Sequence, residues 1–193
     1  MTKKVKIISE TREYDDFFKV DKAILQYEKF DGEMSPTIER LNFNRGDAVA
    51  VLLYNGDKDS VLLVNQFRYP AYVNDGPGWL VEIVAGMIDE GRDAISVAKA
   101  ELLEETGYEV DDLKFICRFY LSPGGSSEKI WLYFADCHRT VSSGGGKDSE
   151  NEDIEVMEIP FMQALEMIRT GEICDAKTIV ALQWLQIEKI SKT

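Results

Sequence analysis

The stretch that decides the fold is GMIDEGRDAISVAKAELLEETGY, residues 86–108. Apolar residues at helical spacing after its glycine-rich start predict a helix over 93–106. Glu101, Glu104 and Glu105 fall within five residues of one another, and Glu101 and Glu105 share a helix face because they are one turn apart. Carboxylates at this spacing repel each other, whereas oxygen ligands suit a hard cation such as Mg²⁺. The spacing alone therefore fits either a solvated acidic helix face or a helix that holds divalent cations.

The segments around this helix are mainly strand-like. Apolar runs of strand length predict a β-strand in each of six places: residues 48–54, 61–67, 79–84, 113–121, 128–136 and 154–159. Residues 69–78 are predicted to be a loop, and the Ser- and Gly-rich residues 139–152 a mobile loop. A further helix is predicted to open at Pro160, and a final one to cover about 176–190.

The N-terminal part has its own pattern. Residues 23–43 predict a β-hairpin with its turn at Asp31–Gly32, and residues 1–20 show no clear period. The order of elements predicts an α+β fold, in which a mixed β-sheet lies between helices and an antiparallel β-hairpin arm precedes it. We expect the arm to span residues 1–44 and the main domain residues 45–193.

Composition limits the possible partners. The chain has 193 residues and a formal net charge of −13, and such an acidic surface argues against binding the phosphate backbone of a nucleic acid. The same charge would repel a phosphate-bearing substrate, and a bound divalent metal is the simplest solution. No apolar run approaches the roughly 20 residues that span a bilayer, so we expect no membrane segment.

Cysteine and histidine usage narrows the chemistry. Cys117, Cys137 and Cys174 are far apart and lack metal-ligand spacing, which favours a reducing, cytoplasmic location. His138 is the single histidine, so histidine-based catalytic triads are nearly excluded. Acid–base chemistry must then come from carboxylates, lysine or tyrosine.

The acidic helix and its glycines resemble the box of the Nudix superfamily, G-x5-E-x7-R-E-U-x-E-E-x-G-U, where U is a bulky apolar residue. The positions that match in register are Gly86, Glu101, Leu102, Glu104, Glu105, Gly107 and Tyr108. The resemblance implies the Nudix fold and metal-dependent hydrolysis of a diphosphate linkage.

Two positions depart from this pattern. Arg92 stands where the family has its first glutamate, and Ala100 stands where it has an arginine that braces the catalytic helix. Arg92 or Lys99 could supply the missing brace. The departures also keep open a non-catalytic nucleotide-sugar binding protein of the same fold.

A closer resemblance is to the nucleoside-diphosphate-sugar hydrolases of the superfamily, particularly those acting on GDP-mannose. It is carried by LLYN (52–55), QFRYPAYVN (66–74), ETGYEV (105–110), YLSPGG (120–125), SENEDIEVMEIPF (149–161) and ALEMIRTGEICDAKT (164–178). It implies hydrolysis of GDP-mannose to GMP and mannose 1-phosphate with Mg²⁺, for which Mn²⁺ could substitute. Pro123, which lies 15 residues after Tyr108, keeps ADP-ribose open as an alternative substrate, giving AMP and ribose 5-phosphate.

The resemblance also assigns the metal site. It implies metal ligands at the backbone carbonyl of Ala85 and at the side chains of Glu101, Glu105 and Glu152. Glu105 or Glu152 would orient or deprotonate the attacking water, with Glu104 in support. Three other acids near Glu152 stay open for its role: Glu150, Asp153 and Glu155.

Further residues are expected to contact the substrate. The resemblance implies Arg68 and Lys177 at the phosphates or sugar, and Glu128 at the sugar hydroxyls. Phe17 and Arg40 would reach the nucleotide of the other subunit in a homodimer whose N-terminal hairpin is swapped.

Glu82 lies on the predicted buried strand 79–84. A buried carboxylate usually needs a partner, so we expect Glu82 to be paired and to brace the site.

Overall fold

The computed structural model describes residues 2–137, 139–147 and 151–191. The chain divides into two compact units. The N-terminal unit comprises Met1–Asp47 and Tyr120–Lys129, and the main unit comprises Ala48–Phe119 and Ile130–Thr193.

The N-terminal unit is built on a three-stranded antiparallel sheet. Its strands β1 (Val5–Asp15), β2 (Lys19–Tyr27) and β3 (Ile38–Asn44) pair in the order β1-β2-β3. The predicted hairpin is therefore confirmed as β2 and β3, although β2 begins earlier than expected. Strand β1 was not expected, because register shifts between Ile7 and Ser9 and between Arg12 and Tyr14 interrupt the alternation that marks a strand.

A mixed seven-stranded sheet forms the centre of the main unit. Its strands are β4 (Ala48–Asn55), β5 (Ser60–Phe67), β6 (Trp79–Glu82), β7 (Val84–Met87), β9 (Lys114–Tyr120), β10 (Lys129–Asp136) and β12 (Glu155–Pro160). The main path is β12-β5-β4-β10-β9, with β6 paired to β5 and β7 paired to β4. Strands β4 and β10 run parallel, whereas β4 is antiparallel to both β5 and β7. A separate two-stranded ladder joins β8 (Tyr108–Glu109) to β11 (Arg139–Thr140).

Helices cover both faces of this sheet. They are α1 (Tyr69–Tyr72), α2 (Ala94–Thr106), α3 (Phe161–Thr170) and α4 (Ala176–Ile190). Along β4, Val49 and Val51 pack in the core layer that contains Leu102 of α2, whereas Ala50 and Leu52 pack in the layer that contains α3 and α4. This alternation, expected of a strand buried on both sides, confirms the predicted α+β arrangement. Within the described ranges, no helix is long and apolar enough to cross a membrane.

Ile83 marks a break that positions the functional residues. The single strand predicted over 79–84 is in fact two strands, because the N–H of Ile83 donates to Thr178 Oγ1 at 2.9 Å instead of continuing the ladder. Strand β6 before the break pairs with β5, and strand β7 after it pairs with β4. Glu82 therefore ends one strand, and Ala85 lies on the next.

Candidate active site

The acidic helix α2 is fixed at both ends. Asp93 precedes it, and its Oδ1 accepts a hydrogen bond from the Ser96 N–H at 2.9 Å. Gly107 ends it with φ 74°, a conformation that favours glycine, and donates to Leu103 O at 3.0 Å. Leu102 is fully buried against the sheet, which fixes the rotation of the helix and hence the direction of its glutamates. The predicted helix over 93–106 is confirmed.

Gly86 provides the space that Glu101 occupies. A Cβ atom at position 86 would lie 2.2 Å from Glu101 Cδ, a distance no real contact shows. The Glu101 carboxylate therefore lies against the backbone of β7 at Gly86, the neighbour of Ala85. This close approach explains why the pattern requires glycine here, and it brings a carboxylate next to the strand that carries the Ala85 carbonyl.

Glu105 is the most unusual carboxylate of the helix. It is only 2% exposed, and within the described part of the chain its Oε2 has no hydrogen-bond partner. Burial, followed by the negative charges of Glu101 and Glu152, raises the pKa of Glu105 to about 9. A buried, unpartnered oxygen among carboxylates fits a hard divalent cation, which prefers oxygen ligands.

These side chains do not enclose a cation by themselves. Among residues 2–137, 139–147 and 151–191, no group of three acidic, histidine or cysteine side chains is arranged to hold a metal. Mg²⁺ is usually bound through one or two carboxylates and keeps water and substrate phosphate in its shell. The Ala85 carbonyl, water and a diphosphate would therefore have to complete the coordination.

Glu152 is positioned by the segment that precedes it. Its Oε2 accepts a hydrogen bond from the Lys147 N–H at 3.0 Å, and Lys147 Nζ lies 2.6 Å from Glu104 Oε2. Of the loop predicted over 139–152, residues 139–140 form a short strand and residues 148–150 lie outside the described residues. Glu150, one alternative to Glu152, therefore lies outside them too, as does His138.

A buried ion-pair network adjoins the break in the sheet. Arg68 donates from Nε to Glu82 Oε1 at 3.1 Å and from Nη2 to Glu82 Oε2 at 2.9 Å. Lys177 Nζ donates to the same Oε2 at 2.6 Å and lies 3.0 Å from Asp175 Oδ1. Burial opposes ionisation of Glu82, but the hydrogen bonds and charges of Arg68 and Lys177 outweigh it and lower its pKa. The expectation that Glu82 is buried and paired is confirmed.

The contacts in this network bear on the substrate-binding roles expected of Arg68 and Lys177. Lys177 is only 9% exposed and is held between Glu82 and Asp175. The Arg68 side chain is 39% exposed and, within the described residues, uses two of its five N–H donors to bind Glu82. Arg68 therefore keeps donors for a substrate phosphate, while the contacts of Lys177 are those of a structural partner.

The other expected substrate contacts lie in the N-terminal unit. Phe17 is 76% exposed, and Arg40 lines an open groove of about 550 Å³ on the three-stranded sheet. Glu128 is buried, and its Oε1 lies 3.6 Å from Arg45 Nε. The roles of Phe17, Arg40 and Glu128 toward substrate stay predictions.

The cations expected to brace the acidic helix contact other groups. Arg92 Nη1 lies 3.6 Å from Asp89 Oδ2, and Lys99 Nζ donates to the backbone oxygen of Asp111. Neither contact reaches a glutamate of the helix, so the bracing role of Arg92 or Lys99 is not supported.

Sequence reasoning missed three residues that the structure brings to the site: Lys147, Asp175 and Thr178. Asp175 caps the N-terminus of α4 by accepting from the Thr178 N–H at 2.9 Å, and the D-x-x-T spacing was a readable signal for this cap. Nothing in the sequence indicated that Lys147 contacts Glu104.

Comparison with known proteins agrees with this architecture. The family profile described as "NUDIX domain" matches residues 44–182, which is most of the chain. The chain therefore belongs to the Nudix family, as its box, fold and acidic helix predicted.

Individual relatives are similar over nearly the full length. The chain is 38% identical to the GDP-mannose pyrophosphatase of Shigella flexneri serotype 5b (strain 8401), over 98% of this chain and 99% of that protein. It is 39% identical to the GDP-mannose pyrophosphatase of Enterobacter sp. (strain 638), over 97% of each. A solved structure titled "Crystal structure of ADP compounds hydrolase" superposes with a TM-score of 0.72 at 21% identity, covering 96% of both chains. At that identity the superposition supports the Nudix fold alone.

Proposed function

We propose that this protein hydrolyses the pyrophosphate bond of a nucleoside diphosphate sugar, with GDP-mannose as the preferred substrate and GMP and mannose 1-phosphate as products. The observation that carries the proposal is the buried Oε2 of Glu105, one helical turn from Glu101, which has no hydrogen-bond partner among the residues that the structure describes. The names of the relatives that are 38–39% identical support the choice of substrate.

Mg²⁺ is the proposed cofactor, with Mn²⁺ as a possible substitute. Glu101 and Glu105 would bind it by side chain, Ala85 by its backbone carbonyl and Glu152 from the loop. When bound, the cation neutralises charge on the diphosphate and makes water a stronger nucleophile.

The protein's own groups would complete the reaction. Counting only contacts with the described residues, Arg68 has N–H donors left after binding Glu82, and these suit two phosphate oxygens. Glu152 is the proposed base, because its carboxylate is fixed by the Lys147 N–H and can accept the proton of the attacking water. Glu104 supports the site through its ion pair with Lys147.

A product-resolved assay tests this proposal. Purified protein is incubated with GDP-mannose or ADP-ribose in Mg²⁺, and nucleoside monophosphate and sugar phosphate are quantified by liquid chromatography. We expect kcat/KM for GDP-mannose to exceed that for ADP-ribose, and excess EDTA to abolish both activities. The reverse ratio would favour the ADP-ribose alternative, and tight binding without products would favour the binding protein.

Glu105→Gln is the decisive variant. We expect it to lower kcat by about 10³-fold, the scale of removing a group that acts on the transition state. The matched control is Glu109→Gln, because Glu109 is exposed and its ion pair with Arg139, at 3.6 Å, lies on the short ladder outside the site. Equal activities of the two variants would remove Glu105 from the mechanism.

We also propose a cytoplasmic homodimer. The N-terminal unit exposes large apolar side chains that a partner could cover: Val5, Ile7, Ile8, Tyr14, Phe17, Phe30 and Leu41. Light scattering after size exclusion would show twice the monomer mass of 21.9 kDa, and monomer at micromolar concentration would contradict the proposal.

A further inference from the structure

Three consecutive glycines precede the loop carboxylate of the site. Gly144, Gly145 and Gly146 have φ values of 64°, 108° and 85°, which L residues rarely adopt. A Cβ atom at position 144 would lie 2.5 Å from the backbone oxygen of Glu105, and one at position 146 would lie 2.7 Å from Glu152 Cβ. The glycines therefore allow this backbone to touch both the acidic helix and Glu152.

The same segment is hydrogen-bonded to the last turn of α2. The N–H of Gly145 donates to Glu105 O at 2.8 Å, and the N–H of Gly146 donates to Glu104 O at 3.1 Å. The last carbonyls of a helix have no partner within the helix, so an external donor is required there. The loop thus attaches to the acidic helix at the residues that form its carboxylate cluster.

Lys147 follows directly and contacts two carboxylates of the site. Its ammonium lies 2.6 Å from Glu104 Oε2, and its backbone N–H donates to Glu152 Oε2 at 3.0 Å. Its backbone oxygen also accepts from the Glu152 N–H at 3.3 Å. One residue therefore ties Glu104 on the helix to Glu152 on the loop.

The helix itself has no cation where its family has one. Position 100 is alanine, while Arg92 contacts Asp89 and Lys99 donates to the backbone of Asp111. The ammonium of Lys147 lies on the acidic cluster instead.

We infer that Lys147 is a positioning residue for the hydrolysis: its ammonium orients Glu104, its amide orients Glu152, and it supplies from the loop the cation that Ala100 cannot supply from the helix. The inference rests on the proposed function for its effect on turnover. Its structural part concerns the metal-free protein and can be measured without substrate.

Three variants and a control test the inference. Lys147→Met removes the charge at similar length, Lys147→Arg keeps it, and Lys147→Met with Ala100→Arg moves it onto the helix. The control is Lys58→Met, which breaks an ion pair of similar length, 2.8 Å to Glu158, on the edge of the sheet.

The first readout uses the metal-free protein. Hydrogen exchange of the Gly145 and Gly146 amides should become about tenfold faster in Lys147→Met and stay near wild type in Lys147→Arg and Lys58→Met. The Mn²⁺ dissociation constant, measured by electron paramagnetic resonance, should rise about tenfold in Lys147→Met alone, as for other residues that orient metal ligands.

The second readout is turnover. Lys147→Met should lower kcat about tenfold while KM for GDP-mannose changes less than about threefold, because orientation rather than substrate binding is lost. Lys147→Arg and the Ala100→Arg double variant should recover most of the loss. Exchange, Mn²⁺ affinity and kcat all near wild type in Lys147→Met, or equal losses in Lys58→Met, would overturn the inference. If kcat does not recover in the double variant, the idea that Lys147 replaces a cation at position 100 is overturned.

The proposed hydrolysis and the positioning role of Lys147 can be refuted independently of each other. A wild-type protein that hydrolyses no nucleotide sugar would overturn the proposed function, while the exchange and Mn²⁺ measurements would still decide whether Lys147 orders the two carboxylates.

Discussion

Replacing Glu82 with glutamine should destabilise the protein far more than a single surface substitution does. Glu82 is 2% exposed, and its carboxylate accepts three charge-assisted hydrogen bonds, two from Arg68 and one from Lys177. Glutamine keeps the shape but has one acceptor oxygen, and its NH₂ group faces one of the cations. The substitution therefore removes the counter-charge and leaves both cations partly unpaired.

The magnitude follows from how buried the partners are. Removing one member of a buried ion pair costs about 3–5 kcal/mol. Two features favour the lower end of this energy range: the Arg68 side chain is 39% exposed, and Lys177 retains its ion pair with Asp175 at 3.0 Å. We therefore expect a loss of about 3 kcal/mol, which at about 2–4 °C per kcal/mol for a protein of this size lowers Tm by about 6–12 °C.

Glu158→Gln is the matched control in thermal unfolding. Glu158 also accepts three hydrogen bonds, from Lys58, Ser60 and Asn55, but its side chain is 33% exposed. Solvent screens such a pair, so its loss should cost less than about 1 kcal/mol. Equal Tm shifts for Glu82→Gln and Glu158→Gln would refute the reasoning from burial.

The pH dependence gives an independent check. Because the pKa of Glu82 in the folded protein is lowered, its ionised form contributes stability above the unfolded pKa, and that stability is lost as pH falls through the folded pKa. The Tm difference between wild type and Glu82→Gln should therefore be constant from pH 8 to pH 6 and shrink below about pH 4.3, the ordinary glutamate pKa. A difference that grew on acidification would contradict the assignment.

Two further outcomes can be measured by thermal unfolding. Mg²⁺ at about 100 times its dissociation constant should stabilise the wild type by about 2.7 kcal/mol but leave Glu105→Gln nearly unchanged, and equal shifts would place the metal elsewhere. Gly86→Ala should cost about 1–3 kcal/mol and displace Glu101, since its Cβ would lie 2.2 Å from Glu101 Cδ. A Gly86→Ala protein with wild-type Tm and Mn²⁺ affinity would show that the close packing there is dispensable.

The sequence predicted most of the main unit because its elements have strong local signals. Helix α2 has a capping aspartate, helical apolar spacing and Gly107, and these signals agree with its packing. Strand β1 escaped prediction because two register shifts break its alternation and all its residues are exposed. A period is visible in sequence only where one face of an element is consistently buried.

The placement of the acidic side chains on one helix could be predicted for the same reason. Glutamates at helical spacing can be predicted to lie close together, since the geometry of the helix sets the distance between them. Contacts between distant segments do not, so the pairing of Lys147 with Glu104 and of Lys177 with Glu82 appears only in three dimensions. The sequence could predict that Glu82 needs a partner, but not which cation would serve.

These pairings bear on how so acidic a protein binds a diphosphate. Arg68 and Lys177 are both bound to Glu82, and Lys147 is bound to Glu104, so the charge of each cation is offset by a carboxylate. With a net charge of −13 around them, these side chains leave little positive potential for a substrate. Metal and substrate should therefore bind cooperatively. Mg²⁺ should lower the dissociation constant of a methylene-bridged GDP-mannose analogue by at least about tenfold, and the analogue should lower the dissociation constant of Mn²⁺ by the same factor. Calorimetry with and without metal measures both, and equal affinity for the analogue in EDTA would show that the protein's own cations suffice.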